Sequence, residues 1–120
     1  MKKKIFVSTV ATTQQSVLAT GFPVKREYDS GSLNKFINQV QQFKKIRMIG
    51  SAALSLAYVA SGVYDAYYEE DIMMWDVAAG VALVKAAGGD YFLKPGKKEN
   101  SVVCGATNGA ISISSLVEII

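Results

Sequence analysis

Carboxylates are the residues best suited to chemistry in this chain, and they are unevenly spread. Of ten acidic residues, five fall between positions 65 and 76: Asp65, Glu69, Glu70, Asp71 and Asp76. Histidine is absent from the sequence, which removes the commonest general base and the commonest transition-metal ligand. Oxygen donors alone suit a hard cation, magnesium or manganese. Read as a strand of period two, residues 63–69 put Asp65 and Glu69 on one face. Asp76 then opens a helix, where the positive end of the dipole favours an ionised carboxylate. Such a convergence can hold a cation or accept hydrogen bonds from substrate hydroxyls. The same residues fit a structural role equally well, with Asp76 as N-cap for the amides of Ala78 and Ala79 and Glu70-Asp71 as an acidic turn.

A second candidate is Gly50-Ser51-Ala52, at a strand-to-helix junction. Unpaired amides at a helix start can receive a phosphate or a hydroxyl, although small residues at such junctions more often serve close packing. Neither a GxxxxGK(S/T) loop nor a GxGxxG fingerprint is present, so nucleotide binding by those routes is excluded. The lone Cys104 lies in the apolar stretch 101–105 and reads as a small core residue of a reduced, cytoplasmic protein. Lysines cluster at 2–4, at 44–45 and at 94, 97 and 98 without interleaved aromatics. They read as solvated ends of elements rather than a nucleic-acid footprint. Lys2 to Val7 imitates a signal peptide, but Ser8, Thr9, Thr12, Thr13, Gln14 and Gln15 interrupt the apolar segment at once. No apolar run approaches the roughly 18 residues of a membrane span, so no membrane partner is expected.

The elements that must position these residues alternate in type. Short β-branched strands are expected at 5–8 and 16–20, followed by a break at Gly21-Phe22-Pro23 and a charged loop at 25–31. Leu33, Phe36, Ile37, Val40 and Phe43 recur at helical spacing, with Ser32 placed to cap them. A strand at 46–49 leads through Gly50-Ser51 into a helix at 52–61, stopped by Gly62. A tyrosine-rich strand at 63–69 precedes a helix at 77–87. That helix has Lys85 as its only charged residue, which predicts burial on most sides. Strands at 91–93 and 102–104 flank the turn Lys94-Pro95-Gly96, and a last helix is expected from 108 towards 120. The pattern predicts one α/β layered domain over 1–120, with a mixed, largely parallel sheet and packed helices. Half the residues are hydrophobic and only 19% are charged, against about 25% in an average soluble domain. The excess belongs in a core or on a partner surface, so self-association or a homo-oligomer is expected.

Several ordered motifs resemble the inositol monophosphatase family. They are the run 47–62 (RMIGSAALSLAYVASG), the run 64–69 (YDAYYE), and above all Trp75-Asp76-Val77-Ala78-Ala79-Gly80, similar to the family's WDxAAG signature. Ala86-Ala87-Gly88-Gly89 matches the usual end of that helix, and 19–23 (ATGFP) is similar to the family's TGFP stretch. The likeness runs from about residue 5 to 108 and corresponds to the C-terminal half of the family fold. It implies a magnesium-dependent phosphatase acting on a small phosphorylated polyol or sugar. It further implies Asp76 as a metal ligand lying near substrate, Glu69 as the acceptor for a substrate hydroxyl, and Gly50, Ser51 and Ala52 as the substrate-contacting helix start.

Two departures shape the expectation. Met73 and Met74 stand where the family often has more polar sequence, so the particular ester cannot be inferred. The family's GEE-like and DPxDGT motifs, which carry most metal ligands, do not occur in these residues. One carboxylate alone is a poor magnesium site, because that ion surrenders its waters reluctantly. The chain is therefore expected to carry no catalytic residue of its own and to be inactive without an N-terminal half. The alternative expectation is a non-catalytic protein-binding module on the same fold.

Overall fold

A mixed five-stranded sheet organises the chain. In this computed structural model residues 4–21 and 30–117 are described. In chain order the elements are a single 3-10 turn at Thr13–Gln15, β1 (Val17–Thr20), α1 (Ser30–Gln41), β2 (Lys45–Arg47), α2 (Ala52–Ala60), β3 (Ala66–Met73), α3 (Met74–Ala86), β4 (Asp90–Pro95), β5 (Ser101–Thr107) and α4 (Ser114–Val117). The sheet order is β2-β1-β3-β5-β4. β1 pairs in parallel with β2 and β3, while β5 runs antiparallel to β3 and β4. Parallel neighbours need long crossovers, which α1 and α2 supply. Residues 96–100 are too few for a crossover, so β4 and β5 form a hairpin. The antiparallel share is accordingly as large as the parallel share.

Alternation along β3 feeds two cores. Tyr67, Val102, Cys104 and Ala106 join Leu56, Val59, Val77, Val81 and Val84 beneath α2 and α3. Tyr68, on the next position, joins Leu18, Phe43, Ala66 and Leu116 on the other face. A bulge between Glu69 and Ile72 opposes two residues to one, because Glu69 pairs with Cys104 and Ile72 with Val102. Asp71 adopts φ 52° there. The extra residue returns Ile72 to the face of Tyr67 and Glu69, where it packs on the α2–α3 core.

Several expectations need correction. Residues 5–8 are not a strand. They run extended past the C-terminal ends of α2 and α3, with the Val7 amide donating to the Ala87 carbonyl and the Phe6 carbonyl lying against Gly62. Val63 and Tyr64 belong to the turn closing α2, their amides both donating to the Tyr58 carbonyl. Helix α1 begins at Ser30, so Ser32 is inside it rather than at its cap. The last helix begins at Ser114, because Asn108 is committed elsewhere. Its amide group donates to Ser8 Oγ and the Val10 carbonyl, and its Oδ1 accepts from the Ile111 amide. The expected break at 22–23, most of the loop at 25–31, and the end of the last helix at 118–120 lie outside the described residues.

Helix α3 is buried on one side only. Val77, Gly80, Val81 and Val84 face α2 and the sheet, whereas Trp75 is 66% and Leu83 44% exposed. Its apolar composition reflects two apolar faces, of which one is covered among the described residues. The covered face depends on Gly80, where an added Cβ would lie 2.5 Å from Leu56 Cδ1 and 2.6 Å from Leu56 Cβ. The second of these atoms cannot rotate away. Gly80→Ala is therefore expected to cost about 1–3 kcal/mol through overpacking, despite alanine's better helix propensity. Urea unfolding of the two proteins measures it, and equal or greater stability in the variant would contradict the packing described.

Candidate functional site

The three parallel strands all end at one edge of the sheet, and helices α2 and α3 begin there. Open α/β sheets bind ligands beyond the carboxyl ends of their strands. A depression of about 250 Å³ lies at this edge, lined by Gly50, Ser51, Ala52, Ala53, Ile72 and Asp76. Gly50 turns the chain from β2 into α2 at φ 76°, a left-handed conformation that costs glycine little. Ser51 is the N-cap of α2, its Oγ accepting from the Leu54 amide at 3.1 Å. That bond satisfies one orphan donor and leaves the amides of Ala52 and Ala53 at the open end of the helix. Such amides, aided by the helix dipole, receive anions or hydroxyl oxygens.

Asp76 is exposed and sits in the first turn of α3, not at its cap. Met73 occupies the cap position without any side-chain capping bond. Its place in the first turn still sets it at the amino-terminal end of α3, while the N-cap role does not hold. Asp76 thus lines the depression together with the start of α2.

Glu69 is set deeper and does not line the depression. Its Oε1 accepts from the Tyr67 hydroxyl at 2.9 Å. Burial pushes the Glu69 carboxyl above its ordinary 4.5, the Tyr67 hydrogen bond pulls it back, and the negative charge of Asp76 pushes it up again. Burial and the adjacent Glu69 also raise the Tyr67 hydroxyl far above its ordinary value, so it stays a protonated donor. Cys104, opposite Glu69 on β5, is pushed up to about 12, first by burial and then by Glu69. A thiol so placed is an inert core group.

Asp65 does not join them. It precedes β3 and is tied to the Ser8 hydroxyl and to the Val17 amide, the latter at 2.7 Å. Its work is to anchor the amino-terminal segment to β1. Asp71 likewise accepts from the Lys97 amide at the hairpin. Sequence reasoning missed two lining residues, Ala53, which simply continues the helix start, and Ile72, which period-two alternation puts on the opposite face and only the bulge brings back.

The described residues contain no group of three His, Cys, Asp or Glu side chains able to hold a metal ion. Asp76 is one candidate ligand, so these residues do not by themselves fit a magnesium ion. No described helix is long and apolar enough to cross a membrane.

The family model for the inositol monophosphatase family matches residues 1–118. The chain belongs to that family. An inositol-1-monophosphatase of Caulobacter vibrioides is 37% identical over 89 residues, which is 73% of this chain and 35% of that protein. A protein of Pseudomonas aeruginosa named Nus factor SuhB is 42% identical over 90 residues, 72% of this chain and 33% of its own length. Among solved structures, the inositol monophosphatase of an Anabaena (Nostoc) species superposes with a TM-score of 0.79 at 36% identity. The match covers 96% of this chain and 48% of that one. The chain thus spans about a third of the curated relatives it matches and under half of the solved chain. The relatives therefore contain chain lying beyond the match.

The raised Glu69 carboxyl has a consequence for stability. A group that binds its proton more tightly when folded contributes stability below its unfolded value and loses it as pH rises through the folded value. Glu69→Gln is thus expected to be more stable than the native chain at neutral pH. The advantage should shrink as pH falls to the ordinary 4.5 and below. Thermal unfolding across pH 3 to 8 checks this, and a gain that is independent of pH would contradict the assignment.

Proposed function

We propose that this chain forms the substrate-binding half of a magnesium-dependent phosphatase acting on small phosphorylated polyols or sugars. The observation that carries the proposal is the meeting of Asp76 with the open amides of Ala52 and Ala53 in one depression. In this reading Gly50, Ser51 and Ala52 contact substrate, Glu69 accepts a hydrogen bond from a substrate hydroxyl, and Asp76 supplies one carboxylate to a shared magnesium site. The remaining ligands come from an N-terminal half that these 120 residues do not include. The chain's own residues bind and orient the ester, and none of them acts on the scissile bond.

The purified chain is accordingly expected to show no magnesium-dependent release of phosphate from inositol phosphate or a sugar phosphate. Joined to the preceding half of a homologous family member, it is expected to become active. In that joined protein Asp76→Asn should lower kcat by about a hundredfold or more, whereas Glu69→Gln should mainly raise KM. Turnover by the chain alone, or full activity in the joined Asp76→Asn protein, overturns the reading.

A second reading, a non-catalytic module that binds another protein, is favoured by two observations. Relatives such as that of Pseudomonas aeruginosa carry the name Nus factor SuhB, and α3 presents Trp75 and Leu83 to solvent. Exposed apolar patches beyond a few hundred Å² mark association surfaces. In either reading the isolated chain is expected to self-associate and to bind a hydrophobic dye. Leu83→Glu should reduce both effects in sedimentation and fluorescence measurements. A monomer that ignores the dye at high concentration would rule out an open face on α3.

A further inference from the structure

Gly21 follows β1, one residue beyond the pairing of Thr20 with Tyr68, and lies beside Glu69, the fourth residue of β3. An added Cβ at this position would have three nearest neighbours, and all belong to one carboxyl group: Glu69 Oε2 at 2.9 Å, Cδ at 3.0 Å and Oε1 at 3.3 Å. The backbone of Gly21 is not left-handed, so alanine is conformationally acceptable there. A side chain at 21 would therefore press on the Glu69 carboxyl and displace it, rather than meet backbone. From the other side, the fully buried Tyr67 donates its hydroxyl to Oε1 at 2.9 Å. Oε2 has no hydrogen-bond partner among the described residues.

We propose that Gly21 and Tyr67 are positioning residues that clamp the Glu69 carboxyl from two sides and leave Oε2 to a ligand's hydroxyl. The two supports differ in kind. Tyr67 fixes one oxygen by a directional bond from a residue locked in the α2–α3 core. Gly21 acts by lacking a side chain, which sets how closely the carboxyl can approach β1. The other groups in its electrostatic surroundings are Cys104 on β5, whose thiol Glu69 pushes up, and Asp76 on α3, which acts on Glu69. The first is a neutral thiol and the second a like charge, so neither holds the carboxyl in place. Tyr67 is the one donor to it among the described residues. The clamp itself follows from geometry, and its consequence for substrate rests on the function proposed above.

The test separates these two layers. In the chain as it stands, the side-chain carboxyl ¹³C resonance of Glu69, assigned by its loss in Glu69→Gln, reports the clamp directly. Tyr67→Phe removes only the donor, and Gly21→Ala presses only on the carboxyl. Both should shift that resonance at neutral pH while the resonance of Glu70 stays in place. Should Tyr67→Phe fail to fold, Gly21→Ala decides alone. In the protein joined to its other half, each variant should raise KM about tenfold with kcat little changed, the expected size for loss of a bond to a charged group. An unmoved Glu69 resonance overturns the clamp. So does an unchanged KM in both variants when Glu69→Gln raises it. If Glu69→Gln itself leaves KM unchanged, the substrate role fails, and the resonance still judges the clamp.

Discussion

Strand β3 is the seam on which the sheet depends. Its pairing with β1 is parallel and its pairing with β5 antiparallel, so among the described strands it alone joins the two halves of the sheet. The backbone bonds on both of its edges fix it more firmly than any side-chain contact could. Two hydrogen bonds strengthen the seam, one just before β3 and one at its third residue. The Asp65 carbonyl accepts from the Asn108 amide, and the Thr20 hydroxyl donates to the Tyr68 carbonyl at 2.6 Å. Everything chemical in the chain is referenced to this strand. Glu69 projects from it, Ile72 is turned by its bulge, and Asp76 follows in the helix that it launches.

The site is built from element ends rather than from loops. Helix starts offer unpaired amides without further ordering, because the helix itself holds them in place. That economy lets a depression lined largely by glycine, serine and two alanines present hydrogen-bond donors from the backbone rather than from polar side chains. It also explains why Asp76 is tolerated in the first turn of an otherwise apolar helix, since the dipole there favours a negative charge. Glu69 is the opposite case. It is held among buried groups at a cost in desolvation, partly offset by the Tyr67 donor. A protein that keeps such a residue without a ligand gives up stability at neutral pH.

The helix α2 and its glycine entry were legible in sequence because local pattern and local burial agreed there. Three features were not. Residues 5–8 have strand-like composition, but their partners are helix ends and the side chain of Asp65, and a propensity cannot show that no neighbouring edge is free. Asp65 looked like a companion of Glu69 at period two, yet β3 begins one residue after it and the pleat does not extend that far. Helix α3 was read as enclosed because its composition gives little contrast between faces. Composition records that a face is apolar, and only tertiary structure records what covers it. Gly80 in the motif was legible as a glycine, whereas its reason, the Cβ of Leu56 on α2, is a contact between separate elements.

Two tyrosine–glutamate pairs on β3 show how far local sequence falls short of function. Tyr67 donates to Glu69 and Tyr68 donates to Glu70, each at 2.9 Å and each two residues apart. The pairs point to opposite faces of the sheet, and both tyrosines are raised in pKa, first by burial and then by the neighbouring carboxylate. Locally they are the same device. Their surroundings differ. The Tyr67 pair faces the helices whose starts form the depression, and Gly21 closes on its carboxyl from β1. The Tyr68 pair faces the core of Leu18, Phe43 and Leu116. The depression is lined from the α2–α3 face alone, so Glu69 lies on its side of the sheet and Glu70 on the other. What distinguishes the two carboxylates of this strand is therefore the company brought by β1, α2 and α3.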